Sequence, residues 1–102
     1  MSVIVIATAF PAPEHRDEVI AAFEAAIVRV HDEPGVELYA LHEGRDRLVM
    51  IEKYASQDAF ATHGQSPALG DLRAALAGKL TSDLDVQVLT PHPAGKPQLG
   101  TL

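Results

Sequence analysis

The apolar positions of the chain change their period several times, and each change marks an element. Val3 to Phe10 is a continuous apolar run with β-branched residues, and that length reads as a buried strand. Pro11 and Pro13 stop it, and Pro13 suits the first turn of a helix. From Glu14 to His31 the apolar residues Val19, Ile20, Phe23, Ala26, Ile27 and Val30 recur at helical spacing on one face. Acidic residues open this helix and Arg29 and His31 close it, as the helix dipole favours. The Glu33-Pro34-Gly35 step ends it, because proline cannot continue the ladder.

Val36 to Glu43 and Leu48 to Tyr54 then read as two strands joined by a hairpin turn at Gly44 to Arg47. Ser56 is placed to cap a short helix running to about Ala61, with Gly64 as its stop. Ser66-Pro67 is a second start signal, after which Leu69, Leu72, Leu76 and Leu80 line one helical face. Asp83 to Thr90 forms a last strand, with Leu84, Val86 and Val88 on one side. The order strand, helix, strand, strand, helix pair, strand predicts an α+β, ferredoxin-like βαββαβ domain with a four-stranded antiparallel sheet. The domain is expected over residues 1–91. Residues 92–102, rich in Pro and Gly, form a C-terminal tail, either a loose end or an arm laid on a partner.

Helices are available for one face of that sheet only. Yet the first strand is apolar on both sides, and in the third Val49 and Ile51 oppose Leu48 and Met50. A half-wet sheet alternates apolar and polar residues. The second apolar face therefore predicts another layer, most economically a second copy of the chain in a symmetric homodimer, with Val49 and Ile51 near the interface. A loop or the tail is the alternative cover. The length of 102 residues points the same way, since a chain of this size buries only about 60–65% of its unfolded surface.

The formal charge of −6 argues against nucleic acid and against anionic membrane surfaces as partners. Without cysteine there is no disulfide frame and no thiolate chemistry. The apolar opening is too short to span a bilayer and lacks the features of a signal peptide, so a cytoplasmic location is expected. No phosphate-cradling glycine loop and no nucleophile elbow is present, which leaves nicotinamide, flavin, ATP and hydrolase chemistry without support. The five histidines show no i, i+4 pair and no HExxH, so no metal and no cofactor is expected.

Polar chemistry concentrates in Glu52 to Leu69. With a four-residue turn in the hairpin, Tyr39 faces Glu52, and side-chain alternation places Glu37, Tyr39 and Leu41 with Met50, Glu52 and Tyr54 on one face. Phe60 and His63, three apart, share a helical face that can fold back toward Tyr54 or Glu52. The bland alternative is structural: a histidine capping carbonyls, a glutamate paired at the sheet edge, tyrosines filling core.

The segment "IEKYASQDAFATHGQSPAL" resembles the antibiotic biosynthesis monooxygenase domain family. The resemblance rests on Glu52, Tyr54, Ala59-Phe60, His63 and Ser66-Pro67, with Glu33-Pro34-Gly35 and Tyr39 upstream, and extends to about Pro91. It implies a dimeric α+β barrel. It also implies a cofactor-independent monooxygenase acting on a small phenol or quinol-type aromatic with dioxygen. Other branches of the family degrade haem or isomerise a small sugar-derived ketone, and the alternatives for this chain are a small-molecule (keto or sugar-derived) isomerase of the same fold or a non-catalytic small-ligand-binding dimer. The family's usual Asn and Trp are absent, their positions falling near Ala7 or Thr8 and at Tyr54; Arg73 stands about where haem degraders carry their iron-binding histidine, so haem is not expected. On this reading His63, Glu52 and Tyr54 are the catalytic candidates, His63 as general base oriented by Glu52. Tyr39, Phe60, Met50, Leu72 and Arg73 bind substrate, with Arg73 steadying the anion.

Overall fold

The computed structural model describes all 102 residues, Met1–Leu102. Strands β1 (Val3–Ala9), β2 (Val36–Glu43), β3 (Leu48–Tyr54) and β4 (Asp85–Leu89) form one antiparallel sheet in the order β2-β3-β1-β4. Helices α1 (Arg16–Val30), α2 (Gln57–Gly64) and α3 (Pro67–Leu76) complete the ferredoxin-like α+β fold. A 3-10 turn over Pro13–His15 leads into α1, so the helix proper begins later than its acidic start suggests.

The core lies between helices and sheet. α1 buries Val19, Phe23, Ala26 and Val30 and α3 buries Ala68, Leu72 and Leu76, against Ala7, Ala9, Tyr39, Leu48 and Met50 of the sheet. Each fully buried Val, Leu or Phe contributes about 1.5–3 kcal/mol relative to exposure. Leu76 ends α3, however. Ala77 and Gly78, with φ +76°, turn the chain away, and Leu80 bridges Pro11 instead of extending the helical face. The i+4 leucine spacing continues past the helix because Leu80 still packs on the core from the loop.

The hairpin keeps its expected register: Tyr39 faces Glu52, Leu41 faces Met50 and Glu43 faces Leu48, and Gly44 N–H donates to Arg47 O at 2.8 Å. One shift intervenes between Val36 and Leu38. That bulge gives β2 an extra residue, so Val36 turns inward to pack beside Tyr54, while Glu37 sits 3.7 Å from Lys53. Glu37 therefore does not share a face with Tyr39. β4 is shorter than its apolar pattern and exposed along its whole length, Val86 and Val88 included. The chain after Leu89 forms no strand or helix, and its end returns to the sheet, where Lys53 Nζ donates to Leu102 O at 2.8 Å. No helix is long and apolar enough to cross a membrane.

Candidate active site

Three local structures bring the polar groups together. Strand parity aims Met50, Glu52 and Tyr54 of β3 at the helices, beside Val5 and Ala7 of β1 and Tyr39 of β2. Ser56 caps α2 by accepting from Ala59 N–H at 3.1 Å, which fixes the helix that carries Phe60 and His63. The third is the loop at Glu33-Pro34-Gly35. Gly35 has φ +81°, and a β-carbon there would lie 2.5 Å from Ala59 Cβ, so only glycine lets this loop touch α2. Ala55 N–H donates to Gly35 O at 2.8 Å, completing the clamp.

That clamp delivers a residue that sequence spacing missed. His63 Nδ1 lies 2.9 Å from Glu33 Oε1, with side-chain exposures of 5% and 15%. The expected pairing of His63 with Glu52 is not made. Thirty positions separate Glu33 from His63 along the chain, and neither strand parity nor helix period links them. The one available hint was the proline-glycine step, which marks a tight turn beside an acid.

Glu52 pairs instead with Tyr54, whose hydroxyl donates to Oε1 at 2.5 Å. Tyr54 is fully buried, and its ring lies 5.2 Å from that of His63 and 5.3 Å from that of Phe60, centroid to centroid. Tyr39 meets His63 edge-on at 5.5 Å. The imidazole is thus held between two phenol rings, with its Nδ1–H donating to a carboxylate. In the neutral ring, with the proton on Nδ1, Nε2 is the acceptor.

A cavity of about 130 Å³ lies between this cluster and the helices. Of the residues expected at the site, Glu52, His63, Tyr39, Phe60, Met50, Leu72 and Arg73 all line it. Tyr54, expected among the catalytic residues, does not line the cavity; its hydroxyl holds the Glu52 carboxyl through their hydrogen bond. No hydrogen bond within the chain reaches His63 Nε2, the second Glu52 oxygen or the Tyr39 hydroxyl. No sealed polar side-chain atom lacks a partner, so none of the three is fully sealed, and all three residues line the cavity. No three His, Asp or Glu side chains gather as a metal set would require.

Burial changes the acids of this site. It pushes the Glu52 carboxyl up to about 7, against the opposing pull of the Tyr54 hydrogen bond. The Tyr54 and Tyr39 phenols are raised well above their usual range, first by burial and then by the Glu52 charge. Both tyrosines therefore remain protonated donors while Glu52 titrates near neutrality.

The profile of the antibiotic biosynthesis monooxygenase family matches residues 2–75, the span that holds β1 through most of α3. The chain belongs to that family. Among curated relatives, "Putative monooxygenase Rv0793" of Mycobacterium tuberculosis is 36% identical over 91 residues, covering 87% of this chain and 90% of the relative. The solved structure of that protein superposes with a TM-score of 0.88 at 33% identity, over 94% of this chain and all of the other. A Caulobacter crescentus "putative antibiotic biosynthesis monooxygenase" superposes at 0.81 with 25% identity, over 86% and 87% of the two chains. Membership in the antibiotic biosynthesis monooxygenase family supports a monooxygenase-like function in general terms. It leaves the substrate to be argued from the site.

Proposed function

We propose that the protein is a cofactor-independent monooxygenase that oxidises a phenol or quinol-type aromatic with dioxygen. The observation that carries this reading is the apolar cavity into which three unpartnered polar atoms open: a base, an acid titrating near neutrality and a phenolic donor.

The chemistry follows from those atoms. His63 Nε2 takes the phenolic proton, and Glu33 on Nδ1 stabilises the resulting imidazolium. The electron-rich phenolate passes one electron to dioxygen, and the ring radical and superoxide combine to form a ring C–O bond. The ring-bound peroxide takes a proton back from the His63 imidazolium, and the proton on that ring carbon then leaves to the freed imidazole as the O–O bond breaks, giving the quinone and hydroxide. The departing hydroxide takes a proton and leaves as water. A phenol with a free position and one dioxygen thus become a quinone and one water. Glu52 is suited to deliver the proton, since about half of it is protonated near pH 7. Tyr39 hydrogen-bonds the oxygen that gains charge. Tyr54 is a positioning residue that holds the Glu52 carboxyl.

The active form is a homodimer joined through the outer sheet face. Ile6, Leu38, Ala40, Val49 and Ile51 lie half-buried there with no helix over them.

An isomerase is the second reading, favoured by the same pair of proton-carrying groups, which also suits proton transfer beside a carbonyl. Oxygen-electrode measurements with a panel of hydroquinones, together with mass spectrometry of the products, decide between them. Uptake of one dioxygen per substrate, with one of its oxygen atoms found in the quinone by isotopic labelling, supports the monooxygenase; quinone without that atom, formed with hydrogen peroxide, overturns it. Deuterium exchange into a keto substrate without oxygen uptake replaces it with the isomerase. Ligand binding without either leaves a binding protein.

A further inference from the structure

The cavity is small and has one charged mouth. At about 130 Å³ it falls well below the ~300 Å³ at which pockets for drug-sized ligands begin. It is closer to the roughly 150 Å³ apolar cavity that takes a single benzene ring. It shares Arg73, Leu84 and Val86 with an open outer cleft of about 580 Å³.

Arg73 is notable in an acidic chain. Of its eight Lys and Arg residues, Arg16, Arg29, Arg47, Lys53 and Lys79 each lie within ion-pair distance of an acid. Asp71, two positions before Arg73 on α3, is taken by Arg29 at 2.7 Å. Arg45, Arg73 and Lys96 have no such partner, and Arg73 is the one that lines the cavity. It is exposed, whereas His63 and Glu52 are each 4% exposed. Arg73 is shared by the cavity and the outer cleft, so it stands at the mouth where the two meet.

We propose that the substrate is a single-ring phenol carrying a short carboxylate side chain, with the ring in the cavity and the carboxylate leaving beside Arg73 into the outer cleft. This rests on the monooxygenase reading for the phenol and on the mouth for the rest. A guanidinium presents a planar fork matched to a carboxylate. Asp83 also lines the cleft, and its charge disfavours a dianionic group there more than a monoanion.

Anaerobic titration calorimetry tests this without turnover, so a failed oxygen-uptake assay leaves the result standing. The probes are 3-(4-hydroxyphenyl)propionate, neutral p-cresol and 6-hydroxy-2-naphthoate. The single-ring acid should bind about 10–100-fold more tightly than cresol, the worth of charge-assisted hydrogen bonds. Arg73→Gln should bring that ratio close to one. Arg45→Gln, which changes the net charge equally, should leave it intact. The naphthoate should bind at least tenfold more weakly than the single-ring acid, an order-of-magnitude expectation for a second ring that the cavity does not hold. Equal affinity for cresol and the acid, a ratio indifferent to Arg73→Gln, tight naphthoate binding, or binding of none of the three would overturn the proposal.

Discussion

Leu48, Met50, Glu52 and Tyr54 on the inner side of β3 are at most 4% exposed, whereas Val49, Ile51 and Lys53 on the outer side of the same strand stay half-buried. Both sides carry apolar residues, so hydrophobicity alone does not separate them. Cover does: three helices close one side, whereas on the other the chain end reaches Lys53, beside which Ile4 is buried, and Ile6, Val49 and Ile51 stay half-buried. A carboxyl on the closed side loses its water and moves to about 7. On the outer side, Lys53 stays near Glu37 and the chain end and keeps part of its hydration. The inner side holds the groups of the proposed chemistry, and the outer side is where the proposed dimer would form.

The largest expected effect falls on the inner side. His63→Ala should lower turnover by about 10²–10⁴-fold, the usual contribution of a general base, with the fold retained. Steady-state kinetics on candidate quinols, alongside circular dichroism, checks this. Full activity would remove His63 from the mechanism, and loss of the fold would make it a structural tie. Glu33→Gln keeps a hydrogen-bond partner on Nδ1 and removes only the charge, so its loss should be smaller than that of His63→Ala.

The outer side gives the next effect. Val49→Lys would place an unpaired charge in a desolvated layer of the proposed dimer, at a cost of a few kcal/mol to association. The isolated subunit should tolerate the change, because Val49 is only half-buried there. Light scattering at micromolar concentration should show a dimer that the substitution dissociates. A wild-type monomer would mean that the outer side needs no second copy.

How much of this was legible in the sequence follows from the range of each interaction. Strand parity and a four-residue turn are local, so the pairing of Tyr39 with Glu52, and the face they share, could be read directly. The bulge after Val36 was not legible, because an extra residue in a strand leaves its apolar pattern intact. Leu80 misled for a similar reason: the leucine period continues after Gly78 has turned the backbone. Glu33 is the instructive omission. Its contact with His63 exists only because Gly35 lets one loop close on a helix from a distant part of the chain. Periodicity holds no information about such a closure, and the site's second acid therefore appears only in three dimensions.

The smallest effect sharpens the contrast between the sides through pH. Glu52 has a carboxyl raised from about 4.5 to about 7 by folding, so the folded state holds its proton more tightly than the unfolded chain. Below about 4.5 both states are protonated and the group contributes its full share to stability. As pH rises from there through 7 the unfolded chain releases its proton first, and folding stability falls. Above about 7 both states are ionised and the loss is complete, amounting to at most about 3 kcal/mol for a shift of this size. Glu52→Gln keeps an oxygen that accepts from the Tyr54 hydroxyl and removes the titration. Urea denaturation at pH 4.5 and pH 8 should find the variant about as stable as the parent at the lower pH and more stable at the higher. A substitution on the outer side such as Lys53→Met should leave the pH slope of the parent unchanged. If Glu52→Gln also leaves that slope unchanged, the carboxyl is not desolvated in solution. The inner side would then lose its acid for the final proton transfer, while the base at His63 would stand unaffected.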